Sequence, residues 1–147
     1  MHVLESEMKE FIIDSGLVAK KEIDAAREEA AKKGQSLGTV LVSRGSLTED
    51  ALRRIQAYVL GIPFVNLKEH HIDTDILALI PEPIARTHNI IAFQKEGDSL
   101  EVAMLDVEDL ASIDSLRKKT GLKILSRLTD TESIKSALLQ YQKSLKD

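Results

Sequence analysis

The chain has 147 residues, room for one ordinary domain or two small ones, and its 43% hydrophobic and 30% charged residues are the balance of a globular protein. A net charge of −4, with both signs interspersed, argues against nucleic acid as a partner, because phosphate binding needs a basic patch. Cysteine is absent, which excludes disulfides, thiolate nucleophiles and cysteine-ligated metals and suits a reducing cytoplasm. No apolar stretch approaches the roughly 20 residues that span a bilayer. The opening residues Met1 to Glu7 are acidic and lack a signal-peptide pattern.

Residues 4–60 read as helical. A helix through Met8, Phe11 and Ile12 ends at Gly16, a residue that readily takes the left-handed conformation of a helix stop. A second is predicted from Lys20 to Lys33, with Ile23, Ala26, Arg27 and Ala30 at helical spacing, and Gly34 ends it. A third, short helix follows Gly38 through Val40, Leu41 and Val42 and stops at Gly45. Thr48 is placed to cap a fourth, where Glu49 and Asp50 favour the positive end of the helix dipole and Leu52, Ile55 and Val59 form a stripe.

The periodicity changes at Gly61-Ile62-Pro63. Phe64, Val65 and Leu67 suggest a short strand, and a small helix is predicted around Ile76–Leu79. Pro83 suits the first turn of a helix running to His88. Ile90–Lys95 and Leu100–Leu105 are strand candidates joined through Gly97-Asp98, a hairpin signal. A helix beginning at Asp106 carries Leu110, Ile113 and Leu116, Gly121 ends it, and Lys123–Leu128 reads as a strand. Residues 131–145 form the last helix, with Ile134, Ala137, Leu138, Tyr141 and Leu145 on one face. Strand, helix, strand over 100–128 is a βαβ unit and implies a parallel pair, which the hairpin makes part of a mixed sheet. The expected fold class is therefore α+β: duplicated helical hairpins over residues 1–60, packed on a small mixed-sheet α/β sandwich over 61–147.

The duplication is the most informative feature. Placing Gly16 on Gly45, 29 residues apart, superimposes Ile12 on Leu41, Ile13 on Val42, Val18 on Leu47 and Ile23 on Leu52. Each copy reads helix, glycine stop, turn, helix, which suits a binding or docking surface better than a reaction centre. Other candidates have plainer readings. His70 and His71 beside Glu69 lack a third metal ligand near in sequence and read as a solvated loop. Asp106, Glu108 and Asp109 stand at a predicted helix start, as do Asp130, Thr131 and Glu132. Lys118, Lys119 and Lys123 read as solvated lysines near a helix C-terminus, and His88 as a helix-end residue. No nucleophilic arrangement of serine and histidine is present in the pattern, and no enzyme is expected.

Taken together, the segment Ser36-Leu37-Gly38 with Leu41-Val42 and Gly45, then Leu47-Thr48-Glu49 and Leu60-Gly61-Ile62-Pro63-Phe64-Val65-Asn66-Leu67, resembles the N-terminal domain of the type II secretion and type IV pilus assembly ATPases. The resemblance continues through Ile80-Pro81, Ala85-Arg86, Gly97-Asp98-Ser99-Leu100 and Ala103-Met104. In that family the domain precedes a motor domain with a phosphate-binding loop. No Gly-x-x-x-x-Gly-Lys-Ser/Thr stands in this chain, so the ATPase activity is not carried over, and the chain is expected to be an N-terminal piece or a free-standing relative. The resemblance implies a cytoplasmic, non-catalytic docking and regulatory domain. Its partners would be a platform protein, which holds it at the inner membrane, and the parent motor domain, with no direct membrane insertion.

Some members of the family bind cyclic di-GMP through a duplicated block that starts Arg-Leu-Gly, runs through Leu-Val and Gly, and ends in Gln. On this sequence the blocks fall at 7–30 and 36–59. The starting arginine is then Glu7 and Ser36, the closing glutamine is Ala30 and Val59, and only the second block keeps Leu37-Gly38. A guanidinium pairs with phosphate or a guanine edge, an amide satisfies base-edge groups, and Glu7 would repel a phosphate. What remains is an apolar frame: Ile12, Ile13, Gly16, Val18, Ile23, Leu37, Gly38, Leu41, Val42, Gly45, Leu47 and Leu52. The contact set drawn from it is Ile12, Ile13, Gly16, Leu37, Gly38, Leu41, Val42, Gly45, Leu47 and Leu52, with Ser36 added. These are the nucleotide-contacting residues that the resemblance implies, with cyclic di-GMP as ligand and no metal.

Overall fold

The structure, a computed structural model, describes the backbone of residues 2–146 and the side chains of residues 5–142. The chain divides into Met1–Gly61 and Ile62–Asp147, and each unit has its own core of buried side chains.

The first unit is four helices: α1 His2–Ser15, α2 Lys20–Lys33, α3 Leu37–Ser43 and α4 Glu49–Leu60. Their ends are set locally. Gly16 and Gly45 both take positive φ, 71° and 78°, which a side chain would strain. At Gly45 the backbone closes a paired stop, Gly45 N–H donating to Val42 O and Ser46 N–H to Leu41 O. Ser36 Oγ accepts from Thr39 N–H at 3.2 Å, and Thr48 Oγ1 accepts from Ala51 N–H at 3.0 Å. The third helix thus begins before Gly38 rather than after it.

The repeat is expressed in the packing. α1 packs on α4 and α2 on α3, so each hairpin packs chiefly on the other. Exchanging the two copies exchanges these two contacts, as an approximate twofold relation requires. Ile12, Leu41, Val18, Leu47, Ile23 and Leu52 are all buried, at equivalent places in the two copies. Two positions depart from the pattern. Ile13 is 41% exposed although its counterpart Val42 is half-buried. Arg27 stands out in solvent rather than on the buried stripe, which Ile23, Ala26 and Ala30 form without it.

The second unit contains α5 Thr74–Leu77, α6 Glu82–His88, β1 Ile90–Glu96, β2 Ser99–Met104, α7 Leu110–Thr120, β3 Lys123–Leu128 and α8 Thr131–Lys146. The sheet order is β1-β2-β3. β1 and β2 are antiparallel, from Ile90 opposite Met104 to Glu96 opposite Ser99, with a bulge between Ala92 and Gln94. β2 and β3 are parallel, from Ser99 beside Lys123 to Met104 beside Leu128. The mixed sheet, the hairpin and the βαβ unit all match expectation.

The differences are local. Phe64 makes one parallel bridge to Leu128, not a strand: Val65 N–H donates to Leu128 O and Leu128 N–H to Pro63 O, while Val65 O accepts from Thr129 Oγ1. Pro63 has no N–H, and beyond Val65 the backbone turns to other partners: Leu67 N–H donates to Ser133 Oγ at 3.0 Å. The helix expected from Asp106 begins at Leu110. Asp106 instead accepts from Glu108 N–H at 3.0 Å in a turn, and Asp109 is the cap, accepting from Ser112 N–H at 3.2 Å. Leu110, the first residue of the helix, is 70% exposed, while Leu116 is buried. The small helix α5 starts two residues before Ile76 because Asp73 caps it, accepting from Asp75 N–H at 2.9 Å. On α8, Ile134, Ala137 and Tyr141 are buried and Leu138 half-buried, while Leu145 lies outside the described side chains. The Tyr141 hydroxyl donates to the carbonyls of Ile80 and Leu77, at 2.7 and 3.1 Å, and burial pushes it up to about 12.

Candidate functional site

The repeat frame is mostly core. Ile12 and Leu41 have no exposed surface, Leu37, Leu47 and Leu52 are buried, and Gly38 packs against α4. A Cβ on Gly38 would meet Leu52 Cδ1 at 2.7 Å, so this glycine permits close approach of helices. Ser36 is occupied as a cap, and also donates to Thr39 Oγ1 at 2.8 Å. Gly16 and Gly45 shape turns. Of the eleven nucleotide-contacting residues expected from the sequence, Leu37 alone lines either of the two grooves among the described residues.

That groove holds about 250 Å³ and lies in the first unit. α1 contributes Glu5, Ser6 and Lys9, α2 contributes Arg27 and Ala30, and Gln35 and Leu37 come from the entry to α3. Its position is informative. Ala30 closes the first block, Ser6 adjoins the first block's start at Glu7, and Leu37 adjoins the second block's start at Ser36. Both ends of the first block and the start of the second therefore lie at or beside one groove, although their motif side chains have changed. Lys9, Arg27 and Gln35 make no side-chain hydrogen bond or ion pair among the described residues, and so are available to a ligand.

A second polar cluster ties α2 to the turn after α3. Arg44 Nε donates to Glu22 Oε1 at 2.6 Å and Nη1 to Glu29 Oε1 at 3.0 Å, and Ser46 Oγ donates to Glu22 Oε1 at 2.7 Å. The Arg44 guanidinium and the Ser46 hydroxyl hold the Glu22 carboxyl below its ordinary value, and Lys33 with Arg44 does the same to Glu29. Arg44 is thereby engaged and is not a spare cation. Sequence reasoning missed it, because its partners are 22 and 15 residues away in sequence. Arg27 was visible only as a charged residue on an otherwise alanine-rich stripe.

In the second unit a groove of about 270 Å³ runs between α6 and α7 over the start of β1. Ile84, Ile90, Ala111 and Leu116 supply apolar walls, and His88, Lys119, Ser112 and Ser115 the polar ones. Asp109 at the start of α7 is held below the ordinary aspartate value, first by the Ser112 hydroxyl and its N–H, with a smaller contribution from the charge of His88. His70 packs its ring edge-on to Phe93, with centroids 6.5 Å apart, and its carbonyl accepts from Gln140 Nε2 at 2.7 Å. No group of three or more metal-ligating side chains occurs among the described residues, and none of their helices is long and apolar enough to cross a membrane.

The MshEN domain family matches residues 60–147. The chain is 31% identical over 132 residues to the type IV pilus assembly ATPase PilB of Myxococcus xanthus (strain DK1622), covering 90% of this chain and 23% of that protein. The chain thus spans about a quarter of the length of this curated relative. A solved structure of MshE with cdg (cyclic di-GMP) superimposes with a TM-score of 0.76 at 25% identity, covering 91% of this chain and 97% of that one. The N-terminal domain of XpsE gives a TM-score of 0.60 at 20% identity over 93% and 94%, a likeness of fold alone.

Proposed function

Because the chain belongs to the MshEN domain family and is homologous to the N-terminal domains of pilus and secretion ATPases, we propose that it is their non-catalytic docking and regulatory domain. The observation that carries this reading is the alignment with PilB, which spans nearly all of this chain but 23% of that protein. A motor domain elsewhere in the parent protein would hydrolyse ATP. This chain, with residues 1–60 and 61–147 as two domains, would bind a platform protein on the cytoplasmic side of the inner membrane and set where the motor works.

The α6–α7 groove is the surface of the second unit that suits such a partner. Apolar walls with Lys119 and His88 beside them fit an acidic, amphipathic segment, whereas the far half of β1 is bulged and polar and so a poor template for strand pairing. The test is isothermal titration of the chain with the purified cytoplasmic part of the inner-membrane platform protein from the same source. We expect micromolar binding, weakened about tenfold by Lys119→Glu through charge reversal. No binding by the unaltered chain overturns the docking function. Binding that Lys119→Glu leaves unchanged moves the contact to another surface.

A second reading is favoured by the first unit's groove. Its place beside both ends of the first block and the start of the second, together with the likeness to MshE, supports a module that senses cyclic di-GMP.

A further inference from the structure

We infer that the polar contacts to a phosphate-bearing guanine dinucleotide have moved along the chain, from the motif positions Glu7, Ala30 and Ser36 to Lys9, Arg27 and Gln35. This rests on the second reading above and concerns the residues that would carry it. Arg27 lies about one turn before Ala30 on α2, exposed beside the buried stripe, and lines the same groove as Ala30. Gln35 lies immediately before Ser36, whose own hydroxyl is occupied as the α3 cap. Lys9 approaches from α1, and all three line the one groove, with Glu5 the only acidic side chain on its wall.

The chemistry matches the loss. A guanidinium can clasp a phosphate or the O6 and N7 edge of guanine, an ammonium neutralises phosphate as a point charge, and a carboxamide both donates to and accepts from a base edge. A groove of about 250 Å³ falls short of the usual range for whole small-molecule sites. It suits one nucleotide half of the ligand, with the other half extending across the open surface. Ala30 in place of a glutamine leaves room beside Arg27, and Leu37 offers an apolar surface for a base.

The experiment is isothermal titration of the unaltered chain, Arg27→Ala, Lys9→Ala and, as a control for charge alone, Lys21→Ala, each with cyclic di-GMP and with cyclic di-AMP. The altered residues stand on helix surfaces, and circular dichroism melts confirm that each variant is folded. We expect saturable binding of cyclic di-GMP, at least about tenfold weaker in Arg27→Ala and Lys9→Ala and unchanged in Lys21→Ala. Binding that survives Arg27→Ala and Lys9→Ala overturns the relocated set and leaves the sensing function standing. Equal binding of cyclic di-AMP overturns guanine recognition by Arg27 and Gln35. No binding of either dinucleotide by the unaltered chain overturns the sensing function, and the inference with it.

Discussion

Arg44 precedes the glycine that ends the first helix of the second repeat, and its counterpart in the first repeat is Ser15. Ser15 satisfies its own helix end, donating to Ile12 O at 3.0 Å and accepting from Leu17 N–H at 3.2 Å. Arg44 instead reaches back to α2, so the two copies close their turns by different means. The two carboxylates it meets have lowered pKa values, which fixes the sign of their pH dependence. The stability they add is present above the ordinary carboxylate value and lost as pH falls through the lower folded values. Arg44→Ala should therefore lower the melting temperature of the chain at neutral pH. The gap from the unaltered chain should narrow in strong acid and in high salt, because these side chains are about a third exposed and screened. Thermal melts at several pH values and salt concentrations measure this. A gap that is the same in acid would show that Arg44 acts through packing and not through charge.

At the scale of elements, the contact between α3 and α4 depends on Gly38 lying against Leu52. Gly38→Ala gains about 1 kcal/mol of helix propensity but forces a methyl to 2.7 Å from Leu52 Cδ1, and overpacking of this kind costs about 1–3 kcal/mol. The net expectation is a loss of about 1 kcal/mol. In a Leu52→Ala background the clash is gone, and the same substitution should stabilise by about 1 kcal/mol, a reversal that a double-mutant cycle by denaturant unfolding detects. Stabilisation in both backgrounds would mean that Leu52 yields without cost. The same contact explains why a glycine stands inside a short helix, where propensity alone disfavours it.

For the whole molecule, the separation of the cores carries the consequence. The buried cluster from Met8 to Ile55 and that from Leu67 to Tyr141 share no residue. In the second, Tyr141 on α8 donates to carbonyls at the ends of α5 and of the turn after it, and Ser133 and Thr129 bind the backbone of 65–67, so distant segments close on one another without help from residues 1–61. A fragment of residues 62–147 should unfold cooperatively on its own, followed by circular dichroism. A gradual, non-cooperative loss of signal would show that this core needs the helical unit to be complete.

Much of this was written in the chain itself. The repeat, the glycine stops, the Gly97-Asp98 hairpin and the βαβ order depend on backbone conformation and on apolar spacing, both local properties that residues declare by type and position. α2 ends, and β3 begins, where expected because Gly34 and the Gly121 turn before β3 are backbone events. The family likeness was also available there, since it rests on residues in order. Tertiary structure decided the rest. Only the placement of Ser112 shows that Asp109, not Asp106, starts α7, and only the fold shows that Phe64 meets Leu128 at a single bridge. Arg27 looked like part of a stripe until the helix was packed and it faced outward. The groove joining Lys9, Arg27 and Gln35 takes its walls from three segments, and the Arg44 cluster joins two helices. Such arrangements are set by distances between parts remote in sequence, which a pattern along the chain does not contain.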